Sequence, residues 1–587
     1  MYGQSGLPVL LAVLYAALLA NAASLSKRSE ALLSENPVLR MLRLSKMPEF
    51  PSDDGRDYPA SWITLPIDHF NASDTRTFQN RYWYNSTFYE PGGPVFWWDV
   101  GESNAELYVP DQLAQASGYS TLMTMAERFK GLALLVEHRY YGRVDEGSFP
   151  FPVNQTTGRL VDISNYAYLT HEQALEDAVY IANHLEVPGL GISTGANTSS
   201  LAPGDGTPWV WIGGSYPGVR GALLRVRNPE TFYVTWASSA PVQYSVDMWQ
   251  YYAQVERSMP RNCSADYTAV TRYVDGIFAN GTDDEVRAVK EALAEAVLAS
   301  PEEPNPTQED IVGLAEGCDN NCMASLLLLP TNSFQSYGPK VYLIPFCDIM
   351  ETQNKTDVRT TDNGGLTKAI APASGLALEH DIATAWNAFL LALKITNYDE
   401  SPSSGEPVVE VSTYSWGWQF CTEAGFYQRG NPDNPHTIQS QFISLESVQS
   451  YCDWLFDGLN PLPNVTTVNK YGGWNMQPSN TMWTGGEYDP WRSFSPQSTE
   501  EGSPMRRTTQ VIPACNEPPK GTDLFGMVYE GMAHVSDQRA QMYNASDPNG
   551  EFSADGLRKV RNQESYYVAE ALLGRALEKW LPCYGAK

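Results

Sequence analysis

The stretch TPWVWIGGSYPGVRG, residues 207–221, limits the folds open to this chain more than any other. Trp209 to Ile212 is an aromatic and β-branched run bounded by Pro208 and Gly213, which predicts a short buried strand. After the glycines, Val219, Leu223, Leu224 and Val226 recur at helical spacing. Ser215 therefore sits on a strand-to-helix corner.

The surrounding chain repeats that alternation. PVFWWDV (94–100) and GLALLVE (131–137) are continuous apolar runs of the kind found in parallel sheets covered on both faces. Between the second run and the serine strand, THEQALEDAVYIANHL predicts a helix opened by a Thr170/Gln173 capping box, with Ala174, Ala178, Ile181 and Leu185 on one face. The pattern is βαβ, hence α/β with a doubly wound sheet. Residues 189–207 read as a surface insertion. From 242 to 410 the texture changes to amphipathic helices over Asp266–Phe278, Asp283–Ala299, Asn321–Leu329 and Leu376–Thr396. Strand-like runs return after 411, at TMWT (481–484) and FGMVY (525–529), before a closing helix over Glu564–Trp580. The expected division is a signal peptide (1–23), an N-terminal segment open to processing at Lys27-Arg28 (24–59), a first core part (60–241), a helical cap (242–410) and a second core part (411–587).

The chain ends and the surface residues bound the setting. An apolar stretch from Leu7 to Leu19 followed by Ala20-Asn21-Ala22 fits a secretory signal peptide, and no later apolar run has the length of a membrane span. Sequons at Asn71, Asn85, Asn154, Asn197, Asn262, Asn280, Asn354, Asn464 and Asn544 agree with export and predict glycans on surface loops. The eight cysteines suit disulfides, Cys515 pairing with Cys583 in the C-terminal core; Cys318 and Cys322 have no histidine nearby, so neither a metal nor a cofactor is expected. A net charge of −29 argues against nucleic acid or an anionic membrane as partner and suits an acidic medium. Secretion is the expected destination, with a vacuolar or lysosome-like compartment as the alternative, and a homodimer is left open.

A serine on such a corner does chemistry only with an imidazole base and a carboxylate to orient it. In α/β-hydrolases the chain order is serine, acid, histidine. Of the seven histidines, only His534 directly follows a late strand-like run, in FGMVYEGMAHVSDQR. Asp489, in MWTGGEYDPWR, follows another strand between serine and histidine; Asp523 precedes its strand and Asp537 follows the histidine, so both fit less well. His138 reads as a structural, hydrogen-bonded residue. Trp416, Trp418, Trp483 and Trp491 are as compatible with core as with a pocket for a flat ring, Trp491 the best placed of them.

GGSYPG resembles the nucleophile motif of the prolyl carboxypeptidase and dipeptidyl peptidase II family of serine peptidases, in the manner of a fungal-type secreted member. IDHFN (67–71), TFQNRYWYN (77–85), EHRYYGR (137–143), YLTHEQALEDA (168–178), CTEAGFYQ (421–428), GGEYDPW (485–491) and GMAHVSDQR (531–539) resemble family blocks in family order. The resemblance implies an α/β-hydrolase core with an inserted helical cap, Ser215 as nucleophile, Asp489 as acid and His534 as base. Tyr216 would give one oxyanion N–H and the turn at Gly101-Glu102 the second. The chain departs from the pattern at Pro217, where a glycine or small residue is usual, at Arg492-Ser493, and at Val535. The activity so implied is cleavage of peptides next to proline, as carboxypeptidase or dipeptidyl peptidase. A post-proline endopeptidase and a non-catalytic hydrolase-fold binding protein are the other readings.

Overall fold

The computed structural model describes residues 58–114, 120–188, 200–299, 305–331, 334–340, 343–351, 374–396, 412–458, 461–538 and 563–585. The signal peptide, Lys27-Arg28 and the sequons at Asn197, Asn354 and Asn544 lie outside the described residues.

Nine strands form one sheet in the order β1-β2-β4-β3-β5-β6-β9-β11-β10. The antiparallel strands β1 (Ser61–Pro66) and β2 (Thr77–Asn85) begin it, β2 running antiparallel to β4. From β4 (Leu132–Val136) onward every pairing is parallel, through β3 (Val95–Asp99), β5 (Trp209–Gly214), β6 (Phe232–Ser238), β9 (Thr481–Gly486), β11 (Asp523–Tyr529) and β10 (Arg507–Thr509). This is an α/β-hydrolase core. Every residue of β3, β4 and β6 is buried, because helices cover both faces and each side chain of either orientation meets apolar surface. One face is closed by α1 (Thr121–Phe129) and the C-terminal helix over Gln563–Trp580, whose Leu572, Leu573, Ala576, Leu577 and Trp580 are completely buried.

Helix α2 (His171–His184) begins where Thr170 accepts the N–H of Gln173, but the box is half made. The Gln173 side chain turns away, accepting the His69 N–H at 2.9 Å and donating to Asp68 at 2.6 Å, so it ties the IDHFN segment to the helix. The sequon at Asn85 is a correction. That side chain is 5% exposed and its amide donates to Tyr58 Oη and the Leu113 carbonyl, both at 2.8 Å, leaving no room for a glycan. Asn71, Asn154, Asn280 and Asn464 are exposed and Asn262 is half-buried.

The chain leaves the sheet after β6 and rejoins it at β9. Between them stand helices over Gln250–Arg257, Arg261–Asn280, Asp283–Leu298, Gln308–Gly317, Asn320–Leu326 and Ile382–Thr396, together with a short parallel pair of β7 (Ser245–Asp247) and β8 (Gly425–Tyr427). The helix expected over Leu376–Thr396 is broken in two at His380-Asp381, where His380 leaves helical geometry at φ −121°, ψ −93°. Helices continue past 410, over Ser412–Gln419 and Leu445–Leu455, and the sheet resumes with β9 at Thr481, where the TMWT strand is expected. Cys263–Cys347, Cys318–Cys322 and Cys421–Cys452 are bridged within this helical region, and Cys515–Cys583 joins the two ends of the last core segment.

Candidate active site

Ser215 stands between β5 and the helix α3 (Tyr216–Arg227) at φ 65°, ψ −131°, a conformation that side-chain-bearing residues rarely adopt. Strain of that kind persists only where neighbours over-determine it. Here the Ser215 N–H donates to the Ser238 carbonyl at 2.8 Å and its carbonyl accepts from Val219 at 3.0 Å. Gly214 is required by a close approach: a Cβ there would lie 2.4 Å from Cγ1 of Val535. The elbow and the loop carrying His534 are therefore in direct contact.

Gly101, at φ +61°, supplies the other close approach, since a Cβ would lie 2.5 Å from Cγ of Pro217. Pro217 thus fits at the second helical position, where no intrahelical N–H is needed, because the turn after β3 offers it a flat backbone. The expectation for Gly101 is corrected on one point. Its N–H is turned back to Asp99 Oδ1 at 3.3 Å, so it is not the second oxyanion donor. Asp99 itself is buried and ion-paired with Arg220 Nη1 at 2.8 Å.

Asp489 ends the turn after β9 and His534 the turn after β11. Their backbones are joined directly, Tyr488 N–H donating to the Met532 carbonyl at 2.9 Å and Glu487 N–H to that of Tyr529 at 2.9 Å. Asp489 Oδ1 lies 2.8 Å from His534 Nδ1 and accepts the Trp491 N–H at 2.9 Å. Both side chains are at most 1% exposed, and His534 Nε2 makes no hydrogen bond among the described residues. Two serines at the end of β6 fix the histidine loop against the elbow. Ser238 Oγ donates to Asp537 at 2.5 Å, and Ser239 Oγ accepts the Val535 N–H at 2.9 Å. Burial pushes the Asp537 carboxyl up, and Ser238 is its hydrogen-bond partner, so Asp537 is part of the scaffold.

Tyr216 opens α3, and its backbone N–H belongs to the first turn, where no carbonyl of the helix faces it. Its ring points the other way, into a buried polar cluster. Tyr216 Oη lies 3.0 Å from His138 Nε2 and accepts from Gln419 Nε2 at 2.9 Å, while Gln419 Oε1 accepts from Tyr141 at 2.6 Å. His138 also meets the Arg139 carbonyl through Nδ1 at 2.7 Å, and burial holds its pKa well below the usual imidazole value. His171 packs on the Tyr216 ring at 5.4 Å between centroids, and burial brings its pKa down to about 3. The backbone N–H of His171 donates to Glu423 at 2.8 Å, and burial pushes that carboxyl up to about 7.

Of the four tryptophans, Trp491 borders His534 at 6.2 Å between rings and Trp416 borders Tyr216 at 5.9 Å. Trp418 stacks on Tyr166, and Trp483 is buried within β9. Arg492, in place of the usual glycine, closes its own loop by donating to the Gln497 and Glu487 carbonyls at 3.2 and 3.3 Å. Sequence reasoning missed Gln335, Gln419, His171 and Glu423. The last three lie in or beside family-like blocks that could have drawn attention, but nothing in the sequence around Gln335 distinguishes it.

The serine carboxypeptidase S28 family model matches residues 65–508, a span that contains Ser215 and Asp489 and stops short of His534. A "Probable extracellular serine carboxypeptidase" of Arthroderma benhamiae is 27% identical over 78% of this chain. The chain spans 62% of that relative's length. "Serine protease vicPb" of Bipolaris victoriae is 26% identical over 76% of this chain and 80% of its own. The human "Thymus-specific serine protease" is 26% identical over 74% of this chain and 75% of its own.

Proposed function

The chain belongs to the serine carboxypeptidase S28 family, and on that premise we propose that it is a secreted serine exopeptidase that cleaves peptides next to proline through an acyl-enzyme on Ser215. The observation that supports this reading best is the buried Asp489–His534 pair at 2.8 Å, carried by a loop that packs against the strained serine corner. With Asp489 accepting Nδ1–H, the lone pair of His534 is on Nε2, the nitrogen that takes the Ser215 proton. The alkoxide attacks the carbonyl, the Tyr216 N–H meets the developing oxyanion, and the protonated imidazole gives its proton to the leaving amine. Water then attacks the ester along the same path, with His534 as base.

Trp491, beside His534, offers a flat apolar face suited to a pyrrolidine ring. The helical region inserted between β6 and β9 narrows the approach, which favours short peptides and chain ends. Export is the proposed setting, in line with the name of the Arthroderma relative and with the N-terminal sequence.

The test is mass spectrometry of the products from one proline-containing peptide at about pH 5, beside a Ser215→Ala control. Loss of one C-terminal residue defines a carboxypeptidase, release of an Xaa-Pro dipeptide a dipeptidyl peptidase, and internal cleavage an endopeptidase. No Ser215-dependent product from any such peptide refutes the peptidase reading and leaves another acyl substrate or a binding protein.

A further inference from the structure

Of the residues that the helical insertion brings to the site, one meets the acid and base loops themselves. The short helix Phe334–Tyr337 places Gln335, 1% exposed, directly over the acid and base loops. Its backbone carbonyl accepts the N–H of His534 at 3.0 Å. Its side-chain Oε1 accepts two further donors, Trp491 Nε1–H at 2.9 Å and Tyr251 Oη–H at 3.0 Å. Trp491 in turn gives its backbone N–H to Asp489 Oδ1, the same oxygen that meets His534 Nδ1. A single residue of the insertion thus holds the backbone of the base with one oxygen and the residue that orients the acid with the other.

We propose that Gln335 is a positioning residue for the reaction, coupling the seating of the helical cap to the alignment of Asp489 and His534. An amide is suited to this place. It is an uncharged acceptor that satisfies two buried donors without setting a further charge beside Asp489. When the Phe334–Tyr337 helix is displaced, the His534 N–H, the Trp491 indole N–H and the Tyr251 hydroxyl lose their acceptors together, and the base loses its fixed bearing on Ser215. The catalytic pair is therefore complete only with the cap seated. The inference rests on the Ser215 acyl-enzyme reading and adds to it a requirement on the cap.

The test measures inactivation of the full chain by a fluorophosphonate, in which Ser215 Oγ bonds to phosphorus, fluoride leaves and His534 takes the hydroxyl proton. Its rate reads the serine–histidine geometry without any peptide specificity. In Gln335→Met, which keeps length and removes the acceptor, kinact falls about ten- to a hundredfold while KI stays unchanged. Trp491→Phe and Tyr251→Phe, which each remove one donor, lower kinact in the same sense and carry the test if Gln335→Met does not fold. In the Trp491→Phe background, Gln335→Met lowers kinact by less than it does alone, as for two residues acting through one contact. Unchanged kinact in these variants, a loss confined to KI, or fully additive losses each overturn the proposal. Failure of the wild-type chain to label at Ser215 overturns instead the acyl-enzyme reading on which it rests.

Discussion

The two halves of the site are held together by different means. In the sheet half, Ser215, Asp489 and His534 follow the parallel strands β5, β9 and β11, and main-chain bonds such as Ser215 N–H to Ser238 O and Tyr488 N–H to Met532 O fix their loops. In the cap half most contacts are made by side chains, Gln335 to Trp491, Gln419 to the Tyr216 hydroxyl and Glu423 to the His171 N–H, beside one main-chain bond from His534 N–H to the Gln335 carbonyl. A backbone ladder tolerates most substitutions, because any residue but proline can make it; a side-chain contact is lost with one substitution. The sheet half should therefore carry the chemistry and the cap half its adjustment.

The largest effect that would break this contrast is the loss of the nucleophile. Ser215→Ala should lower peptide turnover by roughly 10⁶-fold, the scale of triad loss in a serine protease. Turnover within an order of magnitude of wild type would place the chemistry elsewhere. Asp489→Asn keeps the shape but reverses the preferred imidazole tautomer, and kcat should fall by about 10⁴-fold with little change in KM. A wild-type kcat in that variant would remove Asp489 as the acid.

The cap half can be loosened without touching the sheet. The Cys263–Cys347 bridge spans 84 residues of sequence within the helical region, and closing a loop of that size is worth about 4.6 kcal/mol in the chain-entropy account. The double variant Cys263→Ala/Cys347→Ala should lower the protection of cap amides in hydrogen exchange while β5 and β6 stay protected. Equal loss in both regions would show that cap and sheet unfold as one unit.

The smallest effect concerns pH. Burial raises the Glu423 carboxyl to about 7 from its ordinary value of 4.5, so between those values the folded chain keeps a proton that the unfolded chain releases. Its contribution to stability is fully present below the unfolded value and is lost as the pH rises through the folded one. Glu423→Gln, which can still accept the His171 N–H, should flatten the decline in Tm between pH 4.5 and about 7. An unchanged slope would show that Glu423 titrates normally.

The same contrast decides what could be read from the sequence. The candidate serine, acid and histidine follow strand-like runs in a fixed order, and strand and turn are local signals; so Ser215, Asp489 and His534 could be put forward as candidates before any fold was known. The strands were legible wherever both faces are buried, as in VFWWD and LALLV. Contacts that join distant segments were not. Gln335 is separated by about two hundred residues from His534, and no local pattern marks an amide that will accept a tryptophan N–H. Asn85 carried a sequon, yet its burial follows from strand pairing and a contact to Tyr58 that no tripeptide reveals.

The contact between Gly101 and the Pro217 ring has an evolutionary consequence. Because a Cβ at 101 would fall 2.5 Å from the proline, position 101 can gain a side chain only after 217 has changed. A lineage that reaches a side chain at 101 must first shrink 217, and one that has acquired Pro217 has locked glycine in place. The proline thus adds a second demand for glycine to that of the left-handed backbone at φ 61°, and a library that varies both sites should tolerate side chains at 101 less with Pro217 than with a small residue there.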